Sequence, residues 1–171
     1  MSNTKKIVTS GLLVALETVL TRFVQIPIVL WGFFNDRVSL GFIPVCLAGI
    51  LYGPVGGAII AGVADLLRAL IFPQGDINLF FTLIAALRGV IYGIFLHKKI
   101  TPLRIITASA IIFAVTNLLL KSLVIKFCYS PDVTLWAQLW ANLPVAAVNF
   151  VVQSVVLILA AKPIERIVKN V

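Results

Sequence analysis

Six apolar runs, each near the length needed to cross a lipid bilayer, take up most of this chain and leave only short polar joints between them. They fall at about residues 7–26, 38–52, 54–72, 79–96, 103–127 and 135–161. A helix rising 1.5 Å per residue needs roughly 20 mostly apolar residues to traverse the hydrocarbon core. With 61% hydrophobic residues, a mean hydropathy of +1.11 and 12% charged residues, the composition is far from the roughly 25% charge of soluble domains. A soluble fold of 171 residues has too little interior to bury so much apolar surface. The expectation is one all-α integral membrane domain over residues 1–171, with six transmembrane helices in a single bundle.

The joints set the sidedness. Runs two and three are separated only by Tyr52-Gly53-Pro54, whose proline is suited to opening a helix, so they should form a tight hairpin. The second run is short enough to be tilted or partly re-entrant. Lys5, Lys6, the His97-Lys98-Lys99 loop with Arg104, and Lys162, Arg166 and Lys169 cluster on one side, which the positive-inside rule makes cytoplasmic. Both termini are then inside, and the expected location is a prokaryotic plasma membrane. No small-residue cleavage site follows the first run, so it should remain as the first helix rather than act as a signal peptide.

Several function classes drop out. The +8 charge is spread along the chain or sits at run ends instead of forming a basic face, which argues against nucleic-acid binding. Cys46 and Cys128 offer no disulfide framework, and a single histidine excludes a multi-histidine metal centre, so no metal or cofactor is expected. There is no phosphate-binding Gly-x-x-x-x-Gly-Lys loop and no nucleophile-histidine arrangement, so the chain reads as non-catalytic.

What remains is a set of ionisable residues inside apolar runs: Asp65, Arg68, Arg88 and Lys121. Charges are costly in hydrocarbon and mark functional sites by default. Gly57, Ala61, Asp65 and Ala69 recur every four residues, which turns Asp65 toward protein rather than lipid, about 16 Å along the helix from Pro54. Arg68 follows at i+3, as a ligand contact or as an ion-pair partner for Asp65. Arg88 lies deep enough to need an acid such as Asp65 or Glu17, whereas Glu17 itself has no secure partner. Asn117 and Lys121 lie one turn apart in the outer half of the fifth run.

The last run carries an amide stripe of Gln138, Asn142, Asn149 and Gln153. Gln138 and Asn142, near the outer mouth, read as ligand contacts, and Asn149 and Gln153 as interhelical hydrogen-bonding glue. Trp136 beside them fits either a membrane belt or an aromatic lid. Arg22 either reaches the headgroups or joins the pocket. Together with Arg37, these cations suit a small carboxylate- or phosphate-bearing molecule, with Trp31, Phe33, Phe34, Phe80, Phe81 and Tyr129 available to stack on a planar ring. On helix one, Gly11 and Ala15 form a small-xxx-small pair for close helix approach, within the bundle or against a separate membrane subunit.

The stretch Arg37-Val38-Ser39-Leu40-Gly41-Phe42-Ile43-Pro44, then Leu51-Tyr52-Gly53-Pro54, Ala64-Asp65-Leu66 and Phe81-Thr82-Leu83 resembles the substrate-binding S components of energy-coupling factor (ECF) vitamin transporters, most closely their folate family. The resemblance covers most of the first four helices. It implies a membrane-embedded binder that captures a vitamin, most closely folate, outside the cell. It also implies delivery inward with a transmembrane coupling subunit and two cytosolic ATPase subunits, so that ATP hydrolysis belongs to the partners. Gly11-Leu12-Leu13-Val14-Ala15 looks like that family's docking motif, and Phe81 and Thr82 match its Phe-Thr after helix three, although the preceding Pro-Gly is replaced by Leu79-Phe80. Competing readings are an S component for another anionic vitamin such as pantothenate, a stand-alone proton-coupled carrier using Glu17 or Asp65, and a non-transporting assembly factor.

Overall fold

A computed structural model describes residues 3–30, 34–72, 78–97, 99–128 and 134–170, without the side chains of 26–30, 34–37 and 166–170. The chain begins with α1 (Asn3–Phe23), continues into a β-hairpin of β1 (Gln25–Leu30) and β2 (Phe34–Ser39), and enters α2 (Phe42–Ile71). Then come α3 (Leu79–Leu96), α4 (Pro102–Ile111), a π-helical stretch (Ile112–Leu120), α5 (Lys121–Cys128) and α6 (Leu135–Asn170). Among the described residues, four helical segments are long and apolar enough to cross a membrane: Phe42–Ile71, Leu79–Leu96, Pro102–Cys128 and Leu135–Glu165. At 21 residues α1 has the length, but Lys5, Lys6, Glu17 and Arg22 make it more polar than those four.

The hairpin departs from an all-α reading, which had left residues 27–37 as a connection. Its strands pair antiparallel from Gln25 opposite Ser39 to Leu30 opposite Phe34, with Arg37 opposite Pro27. A two-stranded ribbon tolerates Pro27 because an edge position does not require every N–H to enter the ladder. The Leu40 N–H donates to Val24 O (3.3 Å), joining the hairpin base to the end of α1.

Helix α2 reverses direction at Gly53, whose φ of 74° lies in the left-handed region that a side chain disfavours. The reversal is visible in the packing: a Cβ on Gly57 would lie 3.0 Å from Gly49 Cα. In one straight helix, residues eight apart would be about 12 Å apart. The His97 ring sits against Gly53, and its Nδ1 lies 2.8 Å from Ile50 O, near the carbonyls that the break leaves without helical donors. Tyr52 OH also donates to Lys6 O (3.2 Å), tying the start of α1 to this same end of the bundle.

The two legs of α2 pack on α3 with almost no side chain between them. A Cβ on Gly89 would meet Gly57 O at 2.2 Å, and one on Gly93 would meet Pro54 Cα at 2.4 Å. Around this seam the buried core gathers Phe42, Cys46, Ile50, Tyr92, Leu96, Ile105, Ile112 and Leu157, drawing on both legs of α2 and on α3, α4, the π stretch and α6. Local capping fits the sequence: Asn78 accepts from Phe80 N–H at the start of α3, and Thr101 followed by Pro102 opens α4.

Candidate functional site

A cavity of about 140 Å³ opens beneath the hairpin, at the end of the bundle opposite Gly53 and His97. Residues from nearly every element line it: Glu17 and Thr21 from α1, Ser39 from β2, Gly41, and Phe42, Val45, Asp65 and Arg68 from α2. Ala85, Arg88 and Tyr92 come from α3, Asn117 from the π stretch, Lys121 from α5, and Asn149 and Gln153 from α6. Two acids and three cations therefore share one enclosed space among apolar helices.

The acid wall is built by local spacing. Asp65 Oδ1 accepts from Arg68, one turn along the same helix, and Asp65 Oδ2 accepts from Thr82 Oγ1 of α3 (2.9 Å). The i,i+3 pair, one of the two readings that the sequence leaves open for Arg68, is present, and both members line the cavity. Glu17, only 8% exposed, accepts from Thr21 Oγ1 through Oε1 (3.0 Å). Its Oε2 is buried and meets no donor among the described residues, as is true of the Arg68 Nε–H with respect to acceptors. Gly41 is the residue that brings the chain this close: a Cβ there would lie 1.9 Å from Thr21 Oγ1 and 3.4 Å from Glu17 Oε1.

The opposite wall depends on the π stretch. Arg88, which sequence alone directs toward Asp65 or Glu17, donates through Nε to Thr116 Oγ1 (3.4 Å) and through a terminal nitrogen to Asn117 Oδ1. Thr116 itself donates to Ile112 O (2.6 Å). Wide π turns recur at functional sites, and here one sets two polar side chains against a half-buried guanidinium. Lys121 enters the cavity one turn beyond Asn117.

Asp65, Arg68, Asn117 and Lys121 are thus brought together. Arg22 is not at the cavity: its guanidinium lies over the Phe72 ring, 5.5 Å from the centroid. Phe81 is half-buried on α3 and does not line the cavity, and Thr82 reaches it only through Asp65. Trp136 is 74% exposed and Trp140 70%, as belt residues facing lipid would be.

The amide stripe divides the other way from the sequence reading. Asn149 and Gln153 line the cavity, with Gln153 accepting from Tyr92 OH (3.4 Å), whereas Asn142 donates to Ser122 Oγ (2.9 Å) between α6 and α5. Gln138 is fully buried away from the cavity. The Arg37 side chain, Trp31, Phe33 and Tyr129 lie outside the described residues. Thr21 and Tyr92 are cavity residues that sequence reasoning did not select, and Glu17, read there only as a partner for Arg88 or a proton carrier, joins them. The signal available for Glu17 was a carboxylate in an apolar run with a hydroxyl one turn later.

Comparison with known proteins bears on what this cavity holds. The family model for the ECF transporter, substrate-specific component, matches residues 5–161. A folate transporter FolT of Clostridium novyi is 37% identical over 114 residues, covering 65% of this chain and 62% of that protein. The FolT of Leuconostoc mesenteroides subsp. mesenteroides is 29% identical over 129 residues, covering 74% and 66%. The chain thus spans just under two thirds of the length of these two relatives. Among solved structures, FolT bound with folic acid superposes with a TM-score of 0.82 at 30% identity, over 94% of this chain and 95% of that one. The S component of a bacterial ECF transporter gives 0.69 at 27% identity, over 98% and 99%. An S component for biotin gives 0.60 at 22% identity, over 91% and 92%, a likeness of fold alone.

Proposed function

We propose, since this chain belongs to the substrate-specific components of ECF transporters, that it binds folate with high affinity on the outer side of the membrane and hands it to an energy-coupling module for import. One observation carries the reading: an enclosed cavity lined by Arg68, Arg88 and Lys121 opposite Glu17 and Asp65, in a fold that superposes on folic-acid-bound FolT. Cationic groups in a low-dielectric cavity make charge-assisted hydrogen bonds to carboxylate and carbonyl oxygens, and Phe42 and Tyr92 offer flat walls to a ring. Asp65, Arg68, Asn117 and Lys121 are the ligand-binding residues first read from sequence that this cavity supports, and Asn149 and Gln153 join them in place of Gln138 and Asn142.

The same reading takes the bundle as six membrane helices with both termini cytoplasmic, the reversal at Gly53 supplying two of them. The cavity then lies toward the outside and the Gly53–His97 end toward the cytosol. Gly11 and Ala15 are exposed on α1, and nothing lies within 4 Å of where a Gly11 Cβ would be. This bare stripe fits the transmembrane coupling subunit, and two cytosolic ATPases would supply the energy. Titration of the purified protein with folic acid tests the proposal. Saturable binding at or below micromolar concentration is expected, and its absence, with binding of another anionic vitamin such as pantothenate, would redirect the substrate.

A further inference from the structure

Among the described residues, two buried atoms of the cavity lack hydrogen-bond partners, Glu17 Oε2 and the Arg68 Nε–H, an acceptor and a donor. A buried polar group left unsatisfied is expensive, and a carboxylate more so than a neutral group. Asp65 is less available for a ligand, because both of its oxygens are already engaged, by Arg68 and by Thr82. Glu17 has one oxygen held by Thr21, which fixes the carboxylate plane, and one oxygen open.

We propose that Glu17 is the residue that reads the ring end of the ligand, accepting from the adjacent N–H and amino group of a 2-amino-4-oxopteridine or similar cyclic guanidine. The Arg68 Nε–H, in the same cavity, donates to a ring acceptor. This rests on the folate reading and sharpens it by assigning which end of the molecule is enclosed. Size points the same way. A cavity of about 140 Å³ is small beside the roughly 300–1,000 Å³ of pockets that take up a whole drug-sized ligand. It would take the fused bicycle, with Phe42 and Tyr92 among the residues around it, and leave the remainder of the ligand toward the mouth under the hairpin.

The test measures binding of folic acid, its 2-desamino analogue and unsubstituted 2-amino-4-oxopteridine to the wild-type protein, Glu17→Gln and Glu17→Asp. Thermal melting checks that each variant is folded. Wild-type protein should prefer folic acid over the 2-desamino analogue by roughly 100-fold, the scale of charge-assisted hydrogen bonds to one carboxylate. Glu17→Gln presents an amide donor to the ligand's amino group, so folic acid should weaken by about as much and the preference should nearly vanish.

If Glu17→Gln does not fold, Glu17→Asp keeps the charge but retracts it. Folic acid should then weaken by roughly 10-fold and the desamino analogue, which keeps only the ring N–H contact, by clearly less, and equal loss for both ligands would overturn the assignment. Folic acid bound equally well by wild type and Glu17→Gln would also overturn it while leaving the folate reading intact. Glu17-dependent binding of the bare pteridine without binding of folic acid would support the assignment and sink the folate reading. Binding of neither by the wild-type protein would end both.

Discussion

Asp65 holds two neighbours at once, a guanidinium on its own helix and a hydroxyl on α3, so its charge fixes both the cavity wall and the contact between two helices. Asp65→Asn turns one acceptor into a donor facing Arg68. Folic acid affinity should fall by roughly 10- to 100-fold, while Thr82→Ala, which deletes a single hydrogen bond to Asp65, should cost about 3- to 10-fold. Calorimetric titration of both variants checks the order, and a larger effect from Thr82→Ala would show that the acid is not the organiser.

Among the ions that line the cavity, Asp65, Arg68, Arg88 and Lys121 were legible in the sequence because charges in apolar runs announce themselves. The amides were not, for a geometric reason. A period of 100° per residue places Gln138, Asn142, Asn149 and Gln153 on one face but is silent on depth, so it cannot say which half of the stripe meets a cavity. For Glu17 the sequence offers only the local pairing with Thr21, whereas the approach of Gly41 from a different segment is encoded in no local pattern.

At the level of elements, the runs of apolar residues mark the helices and Gly53-Pro54 marks the reversal, since a positive φ followed by a proline allows little else. The hairpin of Gln25–Leu30 and Phe34–Ser39 was hidden by Pro27 and by its place between two membrane helices, where a connection is the default expectation. The π stretch Ile112–Leu120 was hidden more completely, because its sequence carries no local mark distinguishing it from a plain apolar helix. Two of its side chains, Thr116 and Asn117, accept hydrogen bonds from Arg88 of α3.

The seam between α2 and α3 yields a direct prediction. Gly89→Ala would place a methyl group 2.2 Å from Gly57 O, a backbone atom that cannot rotate aside. The helices must separate, and overpacking of this kind costs about 1–3 kcal/mol or more. Thermal melting in detergent should show a clear drop for Gly89→Ala and little change for Gly62→Ala, whose nearest neighbour would be 3.7 Å away.

Across the whole molecule, the proposed orientation can be read with the two native thiols. Cys128 is free and exposed at the end of α5, and Cys46 is free and buried. A membrane-impermeant maleimide added to intact cells should label Cys128 and leave Cys46 untouched; labelling only after permeabilisation would invert the proposed topology. Binding and import should also separate. Gly11→Leu adds bulk where nothing lies within 4 Å, so folic acid binding should stay within about 2-fold of wild type. Import in cells supplying the energy-coupling subunits should nevertheless fall by more than roughly 10-fold, because close helix approach depends on small residues. Import unaffected by Gly11→Leu would place the docking surface elsewhere.

Because backbone meets backbone along Gly49, Gly57, Gly89 and Gly93, the two legs of α2 and α3 have few side chains at this seam to slide or rotate past one another. They behave as a single plate. Any widening that admits a ligand must therefore occur at the plate's borders, where α1 on one side and the π stretch, α5 and α6 on the other meet it through side chains. Those borders are where the cavity-lining Glu17, Arg88, Asn117 and Lys121 stand, so on the proposed function the groups that meet the ligand would also be the ones that part to admit it.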